Sequence, residues 1–259
     1  MNRSPWLVPL AVLIGIGCGS KPEEVSAKTE QVQPAAQMAQ APAAPAATGG
    51  SSVKGTVKFT GTAPKGQPVQ MAADPVCQQA HPAPVYSEEV VVGEGGALKN
   101  VLVYVKEVPG SFPPASQPVV LDQSGCWYSP HVFGLQTNQP LEIVNDDPTM
   151  HNINAKPVQN PPFNIAQPQK GMKMTKSFPK PEVPVKFKCN VHPWMNAYAG
   201  VFTHPFFAVS GADGSFTLQG LPAGTYTVEA WHEKFGTQSQ QVTVGDGETK
   251  SVSFSFSGS

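Results

Sequence analysis

The chain has 259 residues and a formal net charge of −1. It is long enough for one or two domains with real cores, and it gives no electrostatic case for a nucleic-acid partner. Arg3 is the only arginine, which argues against sites built on bidentate phosphate recognition. With 28 Pro and 24 Gly spread along it, the chain divides into short segments of β character between helix breakers.

Arg3 precedes an apolar run from Trp6 to Ile16 that is too short to span a bilayer as a stable helix. The run ends in LIGIGCGS, where small residues lead to Cys18. This resembles a bacterial lipoprotein signal, with Gly15 where that pattern usually carries Leu. The resemblance implies cleavage before Cys18 and a lipid anchor on its sulfur. With lipid or with ordinary signal cleavage, the mature protein is expected outside the cytoplasm, in the periplasm or cell envelope. Residues 19–51 are rich in Ala, Pro and Gln with almost nothing to bury, and read as a disordered tether.

From Val53 the apolar pattern has period two. SVKGTVKF sets Val53, Val57 and Phe59 against Lys54, Thr56 and Lys58. LKNVLVYVKEV is apolar on nearly both faces over residues 101–105, as a central strand would be. No segment of a dozen residues carries a helical stripe. The expected class is all-β, built as sandwiches.

Residues 118–203 carry the chemistry. In PEVPVKFKCNV, Val183, Val185, Phe187 and Cys189 share one face and Lys186 and Lys188 the other. The thiol therefore points inward at the strand's end, and the turn through Asn190 and Pro193 brings His192 and Met195 back toward it. A soft set of thiolate, imidazole and thioether suits copper. LEIVNDDPTMHNINA supplies a second histidine, His151, after a strand that breaks at Asp146-Asp147-Pro148. The pattern Asn145…His151-Asn152, then Cys189-x2-His192-x2-Met195, resembles the cupredoxins, with a short ligand loop most like that of amicyanin. YSPHVFGLQTNQPLEIVN, an aromatic-x-Pro segment leading into the strand before His151, is also similar to that family.

The resemblance implies one mononuclear blue-copper ion with His151, Cys189 and His192 as equatorial ligands and Met195 as the axial one. It implies that Asn152 steadies the ligand loop, and that an exposed edge of His192 is the electron port. Pro193 and Trp194, with Phe163 nearby, would form a small apolar docking surface. The alternative for Trp194 is ordinary packing. NPPFNIAQPQKGMKM reads as a long Pro-rich loop over the copper end, with Met172 or Met174 as substitute axial donors.

Further on, Asp213-Gly214-Ser215-Phe216-Thr217-Leu218 and Leu221-Pro222-Ala223-Gly224-Thr225-Tyr226 resemble carboxypeptidase regulatory-like (transthyretin-like) domains. SVSFSFS closes the chain with Val252, Phe254 and Phe256 opposite serines. Residues 206–257 offer about five strands, few for a closed sandwich. Residues 53–112 are therefore expected to form the first part of this sandwich and 204–259 the second, with the cupredoxin-like domain of 113–203 inserted between them. A tandem arrangement is the rival.

In an exported protein the remaining cysteines, Cys77 and Cys126, suggest a disulfide. The alternative is a second metal site formed with His81 and His131. His204 and His232 read as surface or turn histidines, and Glu88-Glu89 and Asp146-Asp147 as solvated charge.

The expected function is one-electron transfer without catalysis, between redox proteins such as a cytochrome or an envelope oxidase or reductase. A carrier or sensor of Cu(I) is the alternative, and a non-catalytic structural module is more distant.

Overall fold

The computed structural model describes residues 50–258. The signal-like segment with Cys18 and the tether up to residue 49 lie outside the described residues. Ser51, read as the tether's last residue, instead opens the first strand, Ser51–Thr60.

That strand lies in the middle of a three-stranded sheet. It runs antiparallel to Ser215–Leu221 and parallel to Thr249–Ser257. A Cβ on Gly55 would lie 1.7 Å from the Val252 carbonyl oxygen, so the strand can be flanked this closely only because that side chain is absent. Facing it is a four-stranded antiparallel sheet in the order Phe207–Val209, Leu102–Val105, Gly224–His232, Gly236–Val244. Between the sheets Val53, Val57, Phe216, Val228, Phe254 and Phe256 are buried, while the alternate serines of the last strand face solvent. This outer sandwich therefore draws strands from both ends of the described chain.

The middle sandwich pairs a five-stranded sheet with a four-stranded one. The first runs Val132–Gln136, Asn196–Phe202, Glu182–Lys188, His151–Lys156, Phe163–Gln167. The second runs Trp127–Ser129, Val119–Ser124, Leu141–Asn145, Met172–Lys176. Leu121, Tyr128, Phe133, Ile143, Phe178 and Phe187 fill the space between them. The Pro-rich stretch read as a long loop is thus largely two strands, Phe163–Gln167 and Met172–Lys176, each at a sheet edge. Their half-buried alternation is weak because an edge strand has only one neighbour to pack against.

Strand Glu182–Lys188 departs from simple alternation. Its register shifts between Glu182 and Val185, a bulge that turns Val183 out of the Cys189 face. Val183 packs instead at the seam between sandwiches, beside Leu102, Tyr104, Phe202 and Trp231. Two glycines let that seam close. A Cβ on Gly134 would meet the Phe207 ring at 2.3 Å, and one on Gly200 would meet Leu102 at 2.5 Å.

Residues 67–87 also depart from their expected place. Met71 and Cys77 are buried in the core of the middle sandwich, with Val69 and Val85 packed on it, rather than in the outer one. The helix Pro75–Ala80 starts at Asp74, whose carboxylate accepts from Val76 N at 2.8 Å, and Pro75 occupies a first-turn position where no N–H is needed. Cys77 is joined to Cys126 by a disulfide. Among the described residues no helix is long and apolar enough to cross a membrane.

Candidate metal centre

The turn ahead of His151 is organised by Asn145. Its Oδ1 accepts from Asp147 N at 2.9 Å, and its Nδ2 donates to the carbonyls of Thr149 and Gln167 at 3.0 and 2.8 Å. An Asn that bonds the backbone two residues on reverses the chain tightly, so His151 becomes the first residue of strand His151–Lys156. That strand pairs antiparallel with Glu182–Lys188, opposing Asn154 to Lys188. The pairing brings His151 to the end of the sheet from which the loop 189–195 departs.

The loop closes on itself. Cys189 N donates to the Met195 carbonyl and Met195 N to the His192 carbonyl, each at 3.0 Å. The His192 N–H lies 3.4 Å from the Cys189 sulfur. His151, Cys189, His192 and Met195 are all 0–2% exposed. The structure gathers three of the sequence candidates into one buried cluster: His151, Cys189 and His192 each offer a ligand atom, all within 4.8 Å of one another. Met195 is buried in the same core.

The orientation of the rings is what gives the cluster its chemistry. Nε2 of His151 lies 2.8 Å from Asp147 Oδ2, and Nε2 of His192 lies 3.0 Å from Asp74 Oδ2. Each Nε2 donates to a carboxylate, so each Nδ1 of a neutral ring carries a lone pair. The two Nδ1 atoms face each other at 2.9 Å, with the Cys189 sulfur 3.9 Å from that of His192. Two acceptors so placed repel unless a proton or a metal cation lies between them.

The protonation states fit this picture. Burial alone would raise the Cys189 thiol, but hydrogen bonds from both histidine rings and from the His192 and Asn152 backbones lower it to about 5. Burial would lower His151, yet the Asp147 carboxylate and the Cys189 sulfur raise it to about 8. Asp147 is pushed upward by burial and still held below its ordinary value by His151 and the N–H groups of Cys126 and Gly125. A thiolate and two oriented imidazoles in a dry pocket can hold a soft cation.

Asn152 sits beside the sulfur. Its Oδ1 lies 3.4 Å from Sγ and accepts the Asn190 N–H at 2.5 Å, so it ties the first-histidine strand to the cysteine loop. The Tyr128 hydroxyl donates to the Asn152 carbonyl.

Several sequence expectations are corrected. His192 has no exposed edge: it is 2% exposed because Asp74, on the excursion before the helix, covers its Nε2. Trp194 is half-buried and donates its indole N–H to the Cys126 carbonyl at 3.0 Å, while Pro193 and Val191 are exposed. With Pro68, Val69 and Ala73 these residues line a groove of about 540 Å³ beside His192. Phe163 is not part of it. It pairs with Ala155, whereas Gln167 pairs with His151, placing Phe163 at the far end of that hairpin. Met172 and Met174 lie on the edge strand opposite Asn145 and Ile143.

The second metal site does not assemble. Cys77 and Cys126 are spent in the disulfide, His81 bonds the Gly125 carbonyl at 2.6 Å, and His131 pairs with Glu233 across the seam. His204 and His232 are buried rather than superficial, at 2% and 1% exposure. Aromatic rings cover them: His204 stacks on Phe202 and Phe206, and His232 on Phe235.

Asp147, read as solvated charge, is the buried partner of His151. Asp74 carried no expectation at all, although Asp-Pro ahead of Val-Cys is a legible helix start.

The family described as Carboxypeptidase regulatory-like domain matches residues 201–257. A search of curated proteins returned no match. Among solved structures, a Cu-containing nitrite reductase from Thermus scotoductus SA-01 aligns at 23% identity and a TM-score of 0.31. That alignment covers 37% of this chain and 27% of the reductase. A purple cupredoxin from Nitrosopumilus maritimus aligns at 22% identity and a TM-score of 0.28, over 32% of this chain and 97% of its own. A methionine-to-alanine mutant of amicyanin in the Cu(I) state aligns at 14% identity and a TM-score of 0.30, over 38% and 97%. The C-terminal strands are similar to a carboxypeptidase regulatory-like domain, and part of the chain is similar to the cupredoxins.

Proposed function

We propose that His151, Cys189, His192 and Met195 hold one copper ion, and that the protein carries single electrons. The observation that supports this reading is the facing pair of Nδ1 atoms at 2.9 Å, each ring turned by a carboxylate on its other nitrogen. Zinc would favour a further oxygen or nitrogen donor where Met195 stands, whereas a thioether beside a thiolate favours copper.

Copper, when bound, supplies a one-electron couple. The residues do the rest. Cys189 is held as a thiolate, and Asp74 and Asp147 hold the two rings. Asn152 joins the loop to its neighbouring strand, and burial excludes water. Ligands fixed by neighbours on every side have little freedom to rearrange, which suits electron transfer better than substrate turnover. The protein is accordingly read as a carrier rather than an enzyme.

In the same proposal the chain is exported and anchored through lipid on Cys18, and it exchanges electrons with redox proteins of the cell envelope. The apolar groove beside His192, with Pro193 and Trp194 on its rim, is where such a partner would dock.

Protein film voltammetry of the copper-loaded protein, run beside a Cu(I)-chelator challenge, tests this function. A reversible one-electron wave with copper retained is expected. Absence of a wave, together with ready loss of Cu(I) to the chelator, would point to a copper carrier instead.

A further inference from the structure

We propose that Asp74, Asp147 and the Cys77–Cys126 disulfide act as one positioning bracket that sets the tautomer of both metal histidines. The inference rests on the copper reading above and adds residues to it.

The bracket is continuous through hydrogen bonds and one covalent link. On one side Asp74 Oδ2 takes His192 Nε2 at 3.0 Å and the Thr149 hydroxyl at 2.9 Å. Its Oδ1 accepts from Val76 N at 2.8 Å and Cys77 N at 3.4 Å. Cys77 is bonded to Cys126. On the other side Cys126 N and Gly125 N donate to the two oxygens of Asp147, each at 2.7 Å, and Asp147 Oδ2 takes His151 Nε2 at 2.8 Å. Each carboxylate therefore holds one histidine and the backbone of one half of the disulfide. Trp194 ties the ligand loop to the same structure through the Cys126 carbonyl.

A neutral imidazole can carry its proton on either nitrogen. A carboxylate fixed opposite Nε2 holds the proton there and leaves the Nδ1 lone pair for the metal. Asp147 is only four residues from its histidine, but Asp74 is 118 residues from His192. Local chain geometry cannot place Asp74. The helix cap and the disulfide do.

The test uses Cu(I) as the probe, with affinity measured against a competing chelator. Ring-nitrogen NMR of the Cu(I) protein, which is diamagnetic, shows which nitrogen carries the proton. Asp74→Ser keeps an oxygen for the helix cap but is too short to reach His192, whereas Asp74→Asn, with its one oxygen at the cap, turns an NH2 donor toward His192 Nε2. Asp74→Asn should therefore move the His192 proton to Nδ1 and weaken Cu(I) binding as well. Asp74→Ser should bind about 10- to 100-fold more weakly, the usual loss for an outer-shell partner, with His192 shown as a mixture of tautomers.

Unchanged affinity in Asp74→Ser would overturn the bracket. So would a loss of affinity with the wild-type tautomer, because that would leave Asp74 only a packing role. If Asp74→Ser does not fold, the double variant Cys77→Ala with Cys126→Ala replaces it: weakened Cu(I) binding supports the bracket and wild-type binding overturns it. Failure of the wild-type protein to bind copper at all would instead overturn the copper reading.

Discussion

Cys189 and His151 are tuned in opposite directions, the thiol by both histidine rings and nearby backbone groups and the imidazole by Asp147 first and Cys189 second. The thiol is lowered to about 5 and the imidazole raised to about 8, so the metal-free site at neutral pH is a thiolate with a protonated ring. With Nε2 bonded to Asp147, the added proton of His151 belongs on Nδ1, the nitrogen a metal would take. Copper binding at pH 7 should therefore release about one proton, since metal binding must displace the protons held by its ligands. Affinity should fall as pH drops below about 8, and more steeply below about 5. Calorimetry in buffers of different ionisation enthalpy measures that proton, and binding without proton release would contradict the assignment. Asn152 makes a separate prediction. Asn152→Ala removes the acceptor of the partly buried Asn190 N–H, and should destabilise the metal-free protein by about 1 kcal/mol in denaturant titration.

At the scale of elements, glycines and bulges decide which surfaces can meet. Gly134→Ala would place a methyl group 2.3 Å from the Phe207 ring across the seam. Overpacking of this kind costs about 1–3 kcal/mol, and a matching drop in thermal midpoint is the expected result. The disulfide closes a separation of 49 residues. Breaking it should cost about 4 kcal/mol by loop entropy.

Much of the element pattern was legible in the sequence. Val53, Val57 and Phe59 and the closing Phe254 and Phe256 alternate cleanly, because each strand has one wet face and one dry face. Cys189 and His192 were legible as a pair because their spacing is local. Asp74 was not legible as a histidine partner: only the fold brings it across 118 residues. The edge strands 163–167 and 172–176 were missed because half-buried alternation among prolines and lysines looks like loop. His204 and His232 were misjudged because an aromatic stack, not local sequence, buries them.

In the whole molecule, strand Ser51–Thr60 is the middle of a sheet whose other two strands come from beyond residue 214. An isolated 204–259 segment lacks that strand and should remain unfolded by circular dichroism. A cooperatively folded fragment would contradict the shared sandwich. Acid should weaken the fold through the two stacked histidines. Burial lowers His204 and His232 to about 4, while the unfolded chain titrates them near 6.5. Above about 6.5 both states are neutral and the fold keeps its full margin. As pH falls toward 4 the unfolded chain takes up protons first, and stability is lost, on the order of 3 kcal/mol per histidine. Replacing His204 by Phe should flatten that part of the stability curve. The central claim is that the middle sandwich presents one buried thiolate–histidine site to copper. It is tested most directly by the visible absorption spectrum of the protein after one equivalent of Cu(II), beside Cys189→Ser. The account predicts an intense thiolate-to-copper band in the wild type that is missing from the variant. A wild type without the band, or a variant that keeps it, would contradict it.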